Sequence, residues 1–305
     1  YVLYTDQTNT TLQSGTGYRA ATINGKTLTF TGSITTTPVA VDIINAGSNY
    51  ADWNLIGNPY PSYISIENFL NYEIAPSVRN IDILEDVSGI YGYDGDASNG
   101  YDVITLANAG NRLMTPGQGF LVSADAAHVN DHDIMFDPSM RIAGADDDFI
   151  SGRITNELIF LKLNASTSNK SYPTKFYFNE NASRGMDVGY DGKILGNVAP
   201  NFALYSHLVE DNTGLPVALQ ALHPSDMENT VIPLGVNSSQ GEQITFSISE
   251  TTLPSYVDVY LEDNLTNTIT LLNESDYTFT PTTALNGTGR FYLHYSSSVL
   301  SVGNN

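Results

Sequence analysis

Short runs of alternating apolar and polar residues, closed by Gly, Asn, Asp or Pro, recur along this chain. Such a two-residue period marks a half-buried strand. Tyr18 to Thr22 and Thr27 to Ile34 are the first pair, with Asn24-Gly25 between them, a strong short hairpin signal. Val39, Val41 and Ile43 keep the same phase. Trp53 and Leu55 continue it into Gly57-Asn58-Pro59-Tyr60-Pro61-Ser62, a break with two prolines that predicts a fixed corner. Trp53, the only tryptophan, is expected in the core.

Ser65 to Tyr72 is the best helix candidate: Ser65 can cap it, and Ile66, Phe69 and Leu70 share one face. Strands are then predicted at Ile81 to Leu84, Gly89 to Tyr93, Val103 to Leu106, Phe120 to Val122, Ile134 to Phe136 and Met140 to Ile142. Gly144-Ala145 and Asp146-Asp147-Asp148 mark a boundary, because small residues and a charge run seldom lie inside a core. Beyond it the period resumes at Glu157 to Asn164, Lys175 to Asn179, Ala203 to Leu208, Thr230 to Val236 and Glu242 to Ser249. It continues at Tyr256 to Asp263, Thr268 to Leu272, Tyr277 to Thr280 and Arg290 to Tyr295. This spacing predicts an all-β protein of two antiparallel sandwich-like domains, jelly-roll or Ig-like, with at most one short helix. The domains are expected at residues 1–145 and 146–299, with residues 300–305 starting a linker.

Composition sharpens the picture. The 305 residues carry only 12 Lys and Arg against 33 Asp and Glu, a formal charge of -21. Such a surface repels phosphate backbones and anionic lipid, which argues against nucleic-acid partners. The chain has no cysteine, so disulfides, thiolate metal sites and a Cys nucleophile are excluded. No apolar run reaches the roughly 20 residues of a membrane helix, and no membrane insertion is expected. The opening Tyr1-Val2-Leu3-Tyr4 is already strand-like, so the chain reads as a piece of a longer precursor.

Two stretches, Trp53 to Ser62 and Pro116-Gly117-Gln118-Gly119-Phe120-Leu121-Val122, resemble a motif pair in large secreted proteins of Bacteroidota. There they precede the sorting domain of type IX secretion cargo. Gly185-Met186-Asp187-Val188-Gly189-Tyr190-Asp191-Gly192-Lys193-Ile194-Leu195 resembles a further segment of that region, although Met186 stands where an aromatic is commoner. Val231 to Gly235, Val259 to Asp263 and Arg290 to Tyr295 follow in the usual order. The closing Leu300 to Asn305 is similar to the linker into the sorting domain. The resemblance implies a secreted or outer-surface location, β architecture, and contact with the secretion machinery through that C-terminal domain. It implies no particular activity, since adhesins and hydrolases alike carry this region.

Candidate chemistry is sparse. Asp94, Asp96, Ser98 and Asp102 fall at alternate positions of a turn and can offer oxygens to calcium. Asn99 stands where a calcium loop needs Gly, and Thr105 where it needs Glu, so a polar hairpin turn competes with that reading. Asp187 and Asp191 offer a weaker calcium site, or fix an irregular turn by bonding local N–H groups. His128 and His132 are four apart, which suits zinc only on a helix, and this stretch is polar and lies between strands. Tyr60, Tyr63, Tyr91, Tyr93 and Tyr101 can stack on sugar rings, though sheets also favour tyrosine for packing alone. No nucleophile elbow, zincin motif, phosphate loop or dinucleotide fingerprint occurs. The adjacent pair Glu262-Asp263 points to opposite faces of a strand and cannot flank one glycosidic bond. The expectation is a non-catalytic module that binds a polysaccharide, a cell-surface glycan or other surface proteins. Alternatives are a structural spacer beside the sorting domain, or an accessory part of a polysaccharide-degrading enzyme.

Overall fold

A computed structural model describes residues 11–19, 29, 31–46, 52–93, 101–127, 131–144 and 158–297. The Asn24-Gly25 hairpin, most of the 94–102 turn, His128, the 146–148 acidic run and the closing linker lie outside the described residues. The protein is all-β, with one α-helix among the described residues. These residues fall in two units: those within Tyr1–Leu84 and Asn111–Gly152, and those within Glu85–Gly110 and Arg153–Asn305. Residues 85–110, expected in the first half, therefore group with the second.

In chain order the strands up to residue 142 are β1 (Val39–Val41), β2 (Trp53–Gly57), β3 (Tyr63–Ser65), β4 (Glu73–Ala75), β5 (Val78–Arg79), β6 (Ile90–Gly92), β7 (Asp102–Ile104), β8 (Leu113–Met114), β9 (Gly119–Ser123), β10 (Ile134–Phe136) and β11 (Arg141–Ile142). The remainder are β12 (Ile159–Ser166), β13 (Ser171–Phe178), β14 (Gly192–Lys193), β15 (Ala203–Ser206), β16 (Val217–Leu222), β17 (Asn229–Asn237), β18 (Ile244–Thr251), β19 (Val257–Asp263), β20 (Thr268–Leu271), β21 (Tyr277–Phe279) and β22 (Phe291–Ser297).

In the first unit, β2 pairs antiparallel with β9 in the register Trp53↔Ser123 to Gly57↔Gly119. The two motifs that carry the family resemblance are thus hydrogen-bonded neighbours. The helix α1 (Ile66–Leu70) starts where its cap predicts, with Ser65 Oγ accepting from Asn68 N at 3.2 Å. Its apolar face buries Phe69 against Phe136, stacked at 4.9 Å, and against the edge of Phe120 at 5.7 Å. Asn80–Ile83 is a 3-10 helix, not the expected strand. The reason is polar: Asn80 bonds Phe69 O and both backbone groups of Met135, while Asp82 accepts from Arg79 N.

The second unit is built on one sheet, ordered β20-β19-β22-β17-β15-β16-β13-β12-β18-β21, with β14 also on β16. Its strand pairs are antiparallel except β13 with β16, which run parallel. The inward phase of the alternation makes the core: Leu161, Leu163, Phe176, Ile232, Leu234, Phe246, Val259, Leu261, Phe291 and Leu293. Phe246 on β18 and Phe291 on β22 are far apart in strand order, yet their rings meet at 5.1 Å. The sheet therefore folds over on itself, as in a sandwich.

Candidate functional site

The corner after β2 is a hydrogen-bonded core feature. Asn58, almost fully buried, donates to Ser62 O at 2.9 Å and Thr115 O at 3.0 Å, and its Oδ1 accepts from Tyr60 N at 3.0 Å. Gln118 Oε1 accepts from Thr115 N at 2.9 Å, and Gln118 O accepts from Asn58 N. The Pro59-Tyr60-Pro61 break and the Pro116-Gly117-Gln118-Gly119 turn thus close on each other. Tyr60 is 2% exposed; its hydroxyl donates to Phe136 O at 2.8 Å, and burial pushes its phenol up to about 12. Tyr60 is the anchor here, and Trp53, expected to be one, is only half-buried. As a stacking ring for sugar, Tyr60 is corrected by this burial. Tyr63 is half-buried on β3.

Tyr91 is corrected in the same way. It is 0% exposed, and its hydroxyl donates to Lys193 O at 2.8 Å. That bond belongs to a strap, residues 187–194, that ties the 85–110 segment into the second unit. Gly189 accepts from Leu106 N at 2.8 Å, Tyr190 O accepts from Thr105 Oγ1 at 2.7 Å, and Lys193 N donates to Val87 O at 3.1 Å. The buried Lys193 ammonium also pairs with Glu85. Gly192 sits so close that an added Cβ would meet Val103 Cγ1 at 2.5 Å.

Asp187 and Asp191 serve this strap. Asp191 is buried and accepts from Ala221 N at 2.8 Å and Asp187 N at 2.9 Å. Asp187 accepts from Ser183 N at 2.6 Å. Burial dominates these bonds and pushes the Asp191 carboxyl up to about 7, a poor donor to a divalent cation. Asp102 pairs with Lys175 Nζ at 2.5 Å, so a cation would compete with an ammonium already in place. Asp102, Asp187 and Asp191 are thus engaged within the protein, Asp94, Asp96 and Ser98 lie outside the described residues, and no group of three His, Asp or Glu placed to hold a metal occurs among the described residues.

Besides the half-buried Tyr63, two predicted tyrosines reach the surface as a pair. Tyr93 is 45% exposed and Tyr101 half-buried, and their rings lie 5.9 Å apart at 45°. They stand at the two mouths of the 94–100 segment, after β6 and before β7, which pair as a hairpin.

A second polar and aromatic cluster was not singled out from the sequence. On the solvent phase of β19 and β22, His294 Nε2 meets Glu262 Oε2 at 2.7 Å, and Tyr260 OH donates to Asp258 Oδ2 at 3.3 Å. The signal was present in Val-Asp-Val-Tyr-Leu-Glu-Asp and Phe-Tyr-Leu-His-Tyr, whose polar phase holds every one of these side chains. Two further histidines serve local roles: His223 lies 3.2 Å from Glu180, and His207 rests against Tyr205.

The fold and these surfaces define an all-β protein with aromatic and polar groups on the solvent sides of its strands. The chain belongs to a family described as a domain of unknown function, DUF8693, whose model matches residues 2–295. No curated protein and no solved structure matches the chain. No helix among the described residues is long and apolar enough to cross a membrane.

Proposed function

We propose that the chain is a non-catalytic module of a secreted or cell-surface type IX cargo protein, and that it binds a polysaccharide or cell-surface glycan. The observation that carries the reading is the Tyr93–Tyr101 pair: two rings 5.9 Å apart at the mouth of an acidic turn. Tyrosine offers a sugar an apolar face and a hydroxyl on one stiff side chain. The resemblance of the 53–62 and 116–122 motifs supports the secretion context.

A glycan array tests the binding, run with the wild-type chain and the Tyr93→Ala/Tyr101→Ala variant, each with and without EDTA. Retention that falls in the variant supports the reading, and retention lost only with EDTA assigns calcium to the 94–102 turn. A spacer has one observation in its favour: Tyr60, Tyr91 and Asp191 are spent on internal bonds. Absence of any glycan retention, with a normal melting transition, decides for the spacer.

A further inference from the structure

We infer that the solvent face of β20, β19, β22 and β17 is a separate glycan platform, and that its ligand is a neutral polysaccharide chain. This rests on the glycan-binding reading above, but assigns a different surface and a charge class of ligand.

The platform follows from alternation and register. On β19, Val257, Val259, Leu261 and Asp263 point inward, which turns Asp258, Tyr260 and Glu262 outward. On β22, Phe291, Leu293 and Tyr295 point inward, which turns Tyr292 and His294 outward. Tyr260 faces His294, and Glu262 faces Tyr292, directly across the strand pair. The four side chains make a two-by-two block. Tyr260 and Tyr292 occupy one diagonal, about 7–8 Å apart along the backbone. His294 and Glu262 occupy the other, bonded at 2.7 Å. Val231 on β17 and Ile269 on β20, 41% and 66% exposed, extend the same face on either side.

This arrangement matches a pyranose. The sugar has apolar C–H faces for the two phenol rings and hydroxyls at its rim for an imidazole and a carboxylate held between them. A face that spans four adjacent strands suits an extended chain better than a single sugar.

Charge selects among occupants. These four strands contain no Lys or Arg, and the face carries Asp258 and Glu262. Sulfated sugars and uronates find no cation here. A second copy of the chain brings its own formal charge of -21 against the first. A basic protein would need free carboxylates, whereas Glu262 and Asp258 are already engaged by His294 and Tyr260. An uncharged hydroxyl-rich polymer meets none of these objections.

The test is affinity electrophoresis of the whole chain in gels containing soluble neutral polysaccharides (a β-glucan, a mannan, a dextran) or anionic ones (alginate, pectin). The variants are Tyr260→Ala/Tyr292→Ala, Glu262→Gln and Tyr93→Ala/Tyr101→Ala. The expected result is retardation by a neutral polymer, weakened roughly tenfold or more when Tyr260 and Tyr292 are removed. Glu262→Gln keeps the shape of the face, so it reads the polar diagonal should the double alanine variant not fold; weakened retention supports the platform. Loss of retention in the Tyr93/Tyr101 variant alone overturns the platform and leaves the glycan-binding reading standing. Retention by anionic polymers alone, or self-association without retention, also overturns it. No retention by any polymer overturns both.

Discussion

The hydroxyl of Tyr277 on β21 donates to the buried carboxylate of Asp263 on β19 at 2.7 Å, joining strands from opposite ends of one sheet. Arg290 completes the latch. Its Nε and Nη2 reach the two oxygens of Asp263 at 2.9 and 2.6 Å, and its guanidinium lies 4.6 Å from the Phe279 ring and 4.7 Å from Phe291. A charged pair inside a folded-over sheet is tolerated because every oxygen of the carboxylate is bonded. Its effect is to hold the open ends of the sheet together.

Removing Asp263 leaves the half-buried Arg290 guanidinium and the Tyr277 hydroxyl without their shared acceptor. Asp263→Ala should therefore cost about 2–4 kcal/mol in chemical denaturation, below the full cost of a wholly buried unpaired charge. Burial would raise the Asp263 carboxyl, but the bonds from Arg290 and Tyr277 outweigh it and hold it below the ordinary value. A depressed folded pKa gives stability that is present above the unfolded value near 3.9 and is lost as pH falls through the folded one. Acid unfolding below about pH 4 should carry this component, and the Ala variant should lack it. An unchanged denaturation midpoint for Asp263→Ala would rule the latch out.

Asn58 is the test of the corner. Its buried amide satisfies two part-buried backbone carbonyls, so Asn58→Ala should cost about 1–2 kcal/mol. Asn58→Asp should be at least as harmful, because it keeps the shape, loses the donor and adds a buried charge. Thermal melts of the two variants check this order. A silent Asp variant would mean that shape alone holds the corner.

The fold was largely legible because β17, β19 and β22 bury one face and wet the other, which writes period two into the sequence. Val217–Leu222 escaped the pattern. It is buried on both faces nearly throughout and runs parallel to β13, so no alternation marks it. The grouping of 85–110 with the second unit was not legible either, because much of it rests on backbone groups of Gly189, Tyr190 and Lys193, which have no side-chain signature. Among the candidate tyrosines, composition could not separate Tyr93 from Tyr91: the difference is burial, Tyr91 being 0% exposed and Tyr93 45%. For Asp191 the sequence offered both a local turn and a weaker calcium site; the structure shows it accepting from Asp187 N, as in the turn reading, and from the distant Ala221 N, which no local spacing marks.

The strap makes a steric prediction. A methyl group at residue 192 would collide with Val103, a stiff β-branched side chain that cannot swing aside. Gly192→Ala should cost about 1–3 kcal/mol through overpacking. Adding Val103→Ala should restore part of that loss, so the double variant should be more stable than the sum of the singles predicts. Strict additivity in denaturant melts would mean that the two residues do not touch.

Asp191 makes the opposite pH prediction from Asp263. Burial raises its folded pKa to about 7, far above the unfolded value near 3.9. A raised carboxyl contributes fully below the unfolded value, and that contribution declines as pH rises from about 4 to about 7. The full decline is of order 4 kcal/mol. Above pH 7 the group is ionised in both states and the slope vanishes. Asp191→Asn removes the titration, but it turns an amide N–H₂ toward a backbone N–H donor, either Ala221 or Asp187. The variant should thus be less stable than wild type at pH 5, by about 1–3 kcal/mol for the lost bond. The gap should narrow toward pH 7.5, where wild type carries a buried charge and the variant does not. Guanidinium melts of both proteins between pH 4.5 and 8 measure that convergence, and parallel profiles would show that Asp191 stays ionised throughout.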